Sequence, residues 1–434
     1  MPEEPAPSFD ALQPGASLAL ERVLRPAELA LFAGPGEADA GALWVLSVVL
    51  DGVAQLVPGA RVLTQSLAHA AAVAPGDAVV VRLRVQAVDA SGRTATLRCE
   101  AANAAGERLV EGELVVGAPA TPPVEPPHEA GEHYRRLVHA AAAYEPIRTA
   151  VVHPCDALSL QGALEAARQR LLVPVLVGPV AKIRRAAEEG GCALEGIELV
   201  DAPHSHAAAT TAVTLAREGK VQALMKGALH TDELMEAVVD RAGGLRTERR
   251  MSHVFALDVP SYPKPLFITD AAINIAPDLA DKRDIVQNAI DLAHALGIAL
   301  PAVAIVSAVE TVNPKLASTI DAAALCKMLD RGQITGARLD GPLAFDNAIS
   351  RLAARAKAIA SEVAGNADVL VVPDLESGNL LVKQLVYLSG AIAAGIVLGA
   401  RVPVMLTSRA DTLPARLASA ALAQLFVHHR EGQR

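Results

Sequence analysis

A hydroxyl, a guanidinium and a carboxylate crowd the end of one short apolar run. Residues 402–406, Val-Pro-Val-Met-Leu, read as a buried strand, and Ser408, Arg409 and Asp411 follow it directly. Arginine carries a rigid fork of donors that can hold a phosphate or a carboxylate through two bonds. Serine adds one more donor, and the aspartate can take a proton. Together they suit an anionic electrophile attacked by a nucleophile that must first be deprotonated. The same residues also suit a plainer role, with serine or aspartate capping the next helix and the arginine in solvent. On spacing alone the capping role is the simpler of the two.

Two other stretches put polar groups where strands should end. In Lys226–Glu233, KGALHTDE, Gly227 permits a close backbone approach, and His230 and Thr231 open a helix whose amino terminus could attract an anion. An ordinary strand-to-helix turn with Thr231 as the cap fits equally well, and neither a P-loop nor a GxGxxG pattern is present. Asp270 and Asn274, after the strand-like PLFI, are either a ligand-facing pair or turn residues; the sequence does not decide. His204 and His206 have no third metal ligand near them and are expected to face solvent, and His428–Arg430 reads as tail. The GPG at Gly34–Gly36 reads as a turn.

The elements that must position these groups fall into two styles. From about Thr149 onward, short apolar strands alternate with helical runs: TAVVHP, VPVLVG, VQALMKG, PAVAIVSA, DVLVVPD and PVMLTS. In the first helix of that region Leu160, Ala163, Leu164, Ala167 and Leu171 keep helical spacing. This rhythm predicts a parallel sheet covered on both faces, with ligands beyond the carboxyl ends of its strands. Residues 384–400 carry no charge, but three glycines interrupt them and Arg401 follows, so a buried helix is expected rather than a membrane span. Ahead of all this, Gly117–His133 holds five prolines and reads as a linker. Before the linker the pattern is β: Val79, Val81, Leu83 and Val85 share one face, while Arg82, Arg84 and Gln86 share the other. DASG and AAGE mark hairpin turns, and ALWVLSVVLDGVAQL reads as one apolar helix.

Composition excludes several classes. With 434 residues there is room for more than one domain. A net charge of −9 without a basic face argues against a nucleic-acid partner. Cys99, Cys155, Cys192 and Cys326 are widely separated, form no metal-binding spacing, and suit a reducing compartment. The acidic, proline-rich MPEEPAPSFD lacks the form of a signal peptide, so a cytoplasmic protein with no membrane partner is expected.

Taken in order, LMKGALHTDELM, RRMSHVFALDVP, FITDAAINIAPDLADKRDIVQNAIDLA, NPKLASTIDAAAL, GPLAFDNAIS, VVPDLESGNLLVKQL and LTSRADT resemble the phosphate acetyl/butyryltransferase family. The resemblance runs from about Tyr134 to the last helix. It implies an isocitrate-dehydrogenase-like α/β fold of two subdomains with a cleft. It also implies exchange of an acyl group between CoA and phosphate, with CoA as a substrate, no other cofactor and no metal. By resemblance, Ser408 would donate to the developing oxyanion, Arg409 would hold the phosphate, and Gly227, His230 and Thr231 would form the phosphate-side loop. Asp411 is the nearest carboxylate for the base and matches the butyryl-like branch; the acetyl branch has its aspartate where this chain has Ala415.

The stretch from Phe9 to Val116 resembles MaoC-like hot-dog enoyl-CoA hydratases, a small α+β fold. Those enzymes need an aspartate and a histidine in a loop after their first helix. Here only ten residues separate Ala33 from Trp44, Glu37 and Asp39 have no histidine nearby, and His69 falls at a core-strand position. The expected organisation is therefore a degenerate hot-dog domain over residues 1–117, a linker over 118–133 and an acyltransferase domain over 134–434. Symmetric oligomers, dimers in particular, are expected for both domains. A bifunctional hydratase and acyltransferase, and a non-catalytic acyl-CoA-binding protein, are the alternatives. A metal-dependent decarboxylating dehydrogenase would need clustered aspartates and a nucleotide loop, and neither is evident.

Overall fold

The computed structural model describes residues 9, 12–26, 28–29, 40–57, 59–89, 91, 93–118, 131–406 and 412–432. The chain divides into two compact units, Met1–Pro126 and Pro127–Arg434.

In the first unit, strands β1 (Ser17–Val23), β2 (Arg61–His69), β3 (Ala78–Asp89), β4 (Thr94–Asn103) and β5 (Arg108–Gly117) form one antiparallel sheet in the order β1-β3-β4-β5-β2. Helix α1 (Ala40–Leu56) lies against it, burying Trp44, Val45, Val48, Val49 and Val53 on Val79, Val81, Leu83 and Val85. Period-two alternation in β3 thus delivers the expected face to the core. Gly52 lets helix and sheet meet closely, since a Cβ there would lie 2.9 Å from Leu83 Cδ1. One long helix cradled by a five-stranded antiparallel sheet is the hot-dog arrangement. His69 departs from its expected core position: it ends β2, an edge strand, and is exposed. Glu37, Asp39 and Gly34–Gly36 lie outside the described residues.

The second unit opens with helix α2 (Glu132–Ala141) and is built on eleven strands: β6 (Ile147–Val152), β7 (Leu172–Gly178), β8 (Glu198–Asp201), β9 (Ala223–Lys226), β10 (Ser252–Asp258), β11 (Leu266–Thr269), β12 (Ala302–Val306), β13 (Arg338–Leu343), β14 (Val369–Val371), β15 (Ile392–Leu398) and β16 (Val404–Met405). Their order is β13-β12-β14-β11-β10-β15-β16-β9-β6-β7-β8. The outer strands on each side pair in parallel, as the alternating rhythm predicts. The centre does not: β10 is antiparallel to β11 and β15, and β15 to β16. The links 259–265 and 399–403 explain two of these reversals. Both are far shorter than the roughly dozen residues a parallel crossover needs.

Helices α3 (Ala157–Arg168), α4 (Val180–Gly190), α5 (Ser205–Arg217), α6 (Thr231–Val239), α7 (Leu279–Ala295), α8 (Ala317–Asp330), α9 (Phe345–Ile349), α10 (Arg351–Ala356), α11 (Leu375–Ser389) and α12 (Leu413–Gly432) cover the sheet. One face carries a continuous apolar layer, in which Leu160, Ile285, Val286, Leu417 and Leu422 meet strand residues from Val151 to Val371. Two separate clusters cover the other face, one around Val152, Leu224, Leu234 and Val404, the other around Leu257, Ile268, Leu370 and Val382. The sheet thus has two halves that share β10 and β15.

The uncharged stretch 384–400 is not the buried helix its composition suggests. Helix α11 ends at Ser389, Gly390 takes a left-handed φ of 66°, and the remainder forms β15. Glycine accepts that conformation without strain, so the helix stops there. Its outer face is open, with Leu380, Tyr387 and Leu388 exposed.

Candidate active site

Sheet register brings two sequence-distant segments to one place. Val404 and Met405 of β16 pair in parallel with Leu224 and Met225 of β9. The carboxyl ends of β16 and β9 therefore lie side by side, with Leu406 following the first and the turn at Gly227 following the second. Ser408, Arg409 and Asp411 belong to the first segment and lie outside the described residues.

The second segment is described in full. Gly227 follows β9 and packs on the end of β6; a Cβ there would lie 2.5 Å from the Val152 carbonyl oxygen. Its N–H donates to that carbonyl at 2.9 Å, and Ala228 N–H donates to His153 O at 2.9 Å. His153 holds a φ of 53° and donates from Nδ1 to the Ala228 carbonyl at 3.1 Å. The glycine requirement thus comes from backbone meeting backbone. His230 occupies the N-cap position of α6 and makes no side-chain cap bond, which corrects the expectation of Thr231 as the cap. Thr231 is the first helical residue, half-buried, while His230 is exposed.

Lys226, which sequence reasoning passed over, ends β9 and is only 6% exposed. Its ammonium donates to the carbonyls of Leu229 at 3.1 Å and Gly227 at 3.4 Å. A lysine closing the otherwise apolar ALMK was the available signal, because a buried ammonium needs acceptors close by. A cation and the amino end of α6 consequently meet at one turn, and both favour an anion there.

The loop after β11 reaches the same region. Ile273 packs against the cluster containing Leu229, Leu234 and, at its edge, Leu406. Asp270 and Asn274 shape this loop. The Asp270 carboxylate accepts from the backbone N–H groups of Ala272, Ile273 and Asn274 at 3.0, 3.0 and 3.1 Å, and from Asn274 Nδ2 at 2.6 Å. Asn274 also donates to Met251 O at 2.8 Å and accepts from Arg250 Nε at 2.7 Å. Burial pushes the Asp270 carboxyl above the usual range, against the pull of those donors. Asn379, in the second turn of α11, donates to the Ala271 carbonyl at 3.3 Å and joins the loop to that helix.

His253 lies between the two halves of this face. It is fully buried, meets Phe255 in a tilted ring pair at 4.2 Å between centroids, and its Nδ1 has no hydrogen-bond partner among the described residues. Burial depresses its pKa to about 3, so the ring is neutral. A Cβ on Gly395 would lie 2.6 Å from His253 Nε2, so this histidine stands against β15.

The remaining histidines do other work. His204 caps α5 by accepting from Ala207 N–H at 3.2 Å, and His206 lies 3.8 Å from Glu233. His428–Arg430 is not tail but the last turns of α12, where His428 stacks on Tyr144. Among the described residues no His, Cys, Asp or Glu group could hold a metal, and no helix is long and apolar enough to cross a membrane.

Comparison with known proteins fits this geometry. Residues 204–424 match the family model described as phosphate acetyl/butaryl transferase. A phosphate acetyltransferase of Rhizobium meliloti is 62% identical over 297 residues, covering 68% of this chain and 94% of that protein. The chain belongs to the phosphate acetyl/butaryl transferase family. It is a phosphate acyltransferase with a hot-dog domain ahead of the transferase unit. A phosphate butyryltransferase of Clostridium acetobutylicum is 40% identical over 297 residues, covering 68% of this chain and 99% of its own. A crystal structure of a branched-chain phosphotransacylase from Enterococcus faecalis V583 superposes with a TM-score of 0.58 at 31% identity, over 65% of this chain and 99% of that one. The transferase therefore keeps the α/β fold that its motifs imply.

Proposed function

We propose that acyl transfer takes place at the carboxyl ends of β9 and β16, with Ser408, Arg409 and Asp411 as its chemical groups. CoA thiolate attacks the carbonyl carbon of an acyl phosphate, the carbon–sulfur bond forms, and the carbon–oxygen bond to phosphate breaks. Asp411 takes the thiol proton, because a thiol of pKa about 8.5 is mostly protonated near neutrality. Ser408 donates to the oxyanion and Arg409 holds the phosphate. Gly227, His230 and Thr231 supply the phosphate-side turn, and Asp270 and Asn274 hold the loop that faces it. The parallel pairing of Met405 with Met225 is the observation that supports this reading, since β16 and β9 end together. CoA is a substrate, and a phosphate leaving group asks for neither a metal nor a redox cofactor. Acyl-CoA, acyl phosphate and inorganic phosphate are the partners, without nucleic acid or membrane.

The test is Arg409→Ala. A donor aimed at developing charge contributes about 3–4 kcal/mol, so turnover should fall by at least roughly a hundredfold while the melting temperature holds. Arg409→Lys should restore little, because a point charge lacks the fork. Wild-type turnover by folded Arg409→Ala protein would overturn the assignment. A symmetric oligomer fits the open apolar faces on α11, where Leu380, Tyr387 and Leu388 are 69%, 76% and 80% exposed, and on β2, where Leu63 is exposed. A cytoplasmic setting fits the four unpaired cysteines. Residues 1–117 act in packing or assembly rather than hydration.

A further inference from the structure

Arg249, of the ERR run, and His429–Arg430, near the chain's end, have no place in the chemistry above. They line one polar cavity of about 710 Å³ together with Arg283, Gln333 and Thr335. Its floor includes Gly399 and Ala400, which follow the carboxyl end of β15. Because β15 is antiparallel to β16, this end of β15 lies away from the carboxyl end of β16.

Donors outnumber acceptors in this cavity. Asp284 spends one carboxylate oxygen on Arg283 Nε and Nη2, at 2.9 and 2.7 Å, and the other on Arg250 N–H at 2.8 Å. Asp291 spends one oxygen on Arg249 and the other on Gln287 Nε2 at 3.1 Å. Every oxygen of the two carboxylates thus already accepts from at least one N–H. A guanidinium carries five N–H donors. Among the described residues, the Arg283 side chain bonds only its chain neighbour Asp284, and the Arg249 side chain bonds Asp291 and Asn288 through Nη1 alone. Surplus N–H groups on two arginines suit a ligand rich in acceptors and negative charge, and His429 and Arg430, the latter donating to the Arg401 carbonyl at 3.3 Å and lying over the Phe426 ring, add positive charge to the lining. The volume lies in the range of small-molecule sites. We propose that this cavity binds a phosphorylated small molecule of nucleotide size, at a site separate from the carboxyl ends of β9 and β16.

The experiment is calorimetric titration of the full-length protein with ADP and with pyrophosphate, with chelator present and CoA held at saturation so that the transfer site is filled. We expect binding at one site per chain, weakened about tenfold or more by Arg283→Ala and again by Arg430→Ala. Neither change should alter basal turnover or melting temperature. A tighter pyrophosphate isotherm would assign recognition to the phosphates, and a tighter ADP isotherm would include the nucleoside. Displacement of both probes by CoA, identical binding by both variants, or no heat at millimolar concentration would each overturn the proposal.

Discussion

At the scale of single residues, the chemistry rests on a proton and a fork. If Asp411 is the base, its removal matters only while the CoA thiol needs help to ionise. Asp411→Asn should therefore lose most activity near pH 6–7 and recover toward wild type above about pH 8.5. A loss independent of pH would make Asp411 a helix cap instead. His253 makes a separate prediction about stability. Its folded pKa of about 3 lies below the unfolded value near 6.5, so the folded state resists protonation. Its contribution is intact above about pH 6.5 and is lost on acidification, by up to about 1.4 kcal/mol per pH unit. Melting temperature should fall more steeply from pH 7 to pH 5 in wild type than in His253→Gln. Equal slopes would show that the ring is not kept neutral by burial.

At the scale of elements, the turn after β9 is the most constrained piece of the transferase unit. Gly227→Ala would push a methyl group onto the Val152 carbonyl, where backbone cannot yield. Such overpacking should cost about 1–3 kcal/mol by denaturant unfolding, with turnover falling because α6 must move. An unchanged midpoint would mean that β6 and β9 can separate there without penalty. These elements also show what the sequence made legible. Alternation in β3 and helical spacing in α3 reported burial directly, although α3 ends at Arg168 and Leu171, expected within it, lies beyond its end. The split of residues 384–400 was hidden, because a glycine in an apolar run says nothing of its φ until the chain is folded. The antiparallel centre was hidden for a related reason: strand direction depends on link length, and the ends of β15 and β16 were not marked in the sequence. In the site, motif resemblance pointed to Gly227, His230 and Thr231. The buried Lys226 stands out only once its carbonyl partners are seen.

At the scale of the whole molecule, two units with separate cores share one chain. The hot-dog fold is present in the first, for which we propose a role in packing or assembly rather than hydration. The second holds every group assigned to acyl transfer. One comparison tests this division most directly: CoA-dependent turnover of acetyl, propionyl and butyryl phosphate by the full-length protein and by residues 127–434 alone, with crotonyl-CoA hydration measured alongside. We predict that both proteins turn over at least one acyl phosphate at similar rates per folded site, and that neither hydrates crotonyl-CoA. Acyl-CoA binding without turnover of any acyl phosphate, or crotonyl-CoA hydration that disappears on mutating Glu37 or Asp39, would contradict the account.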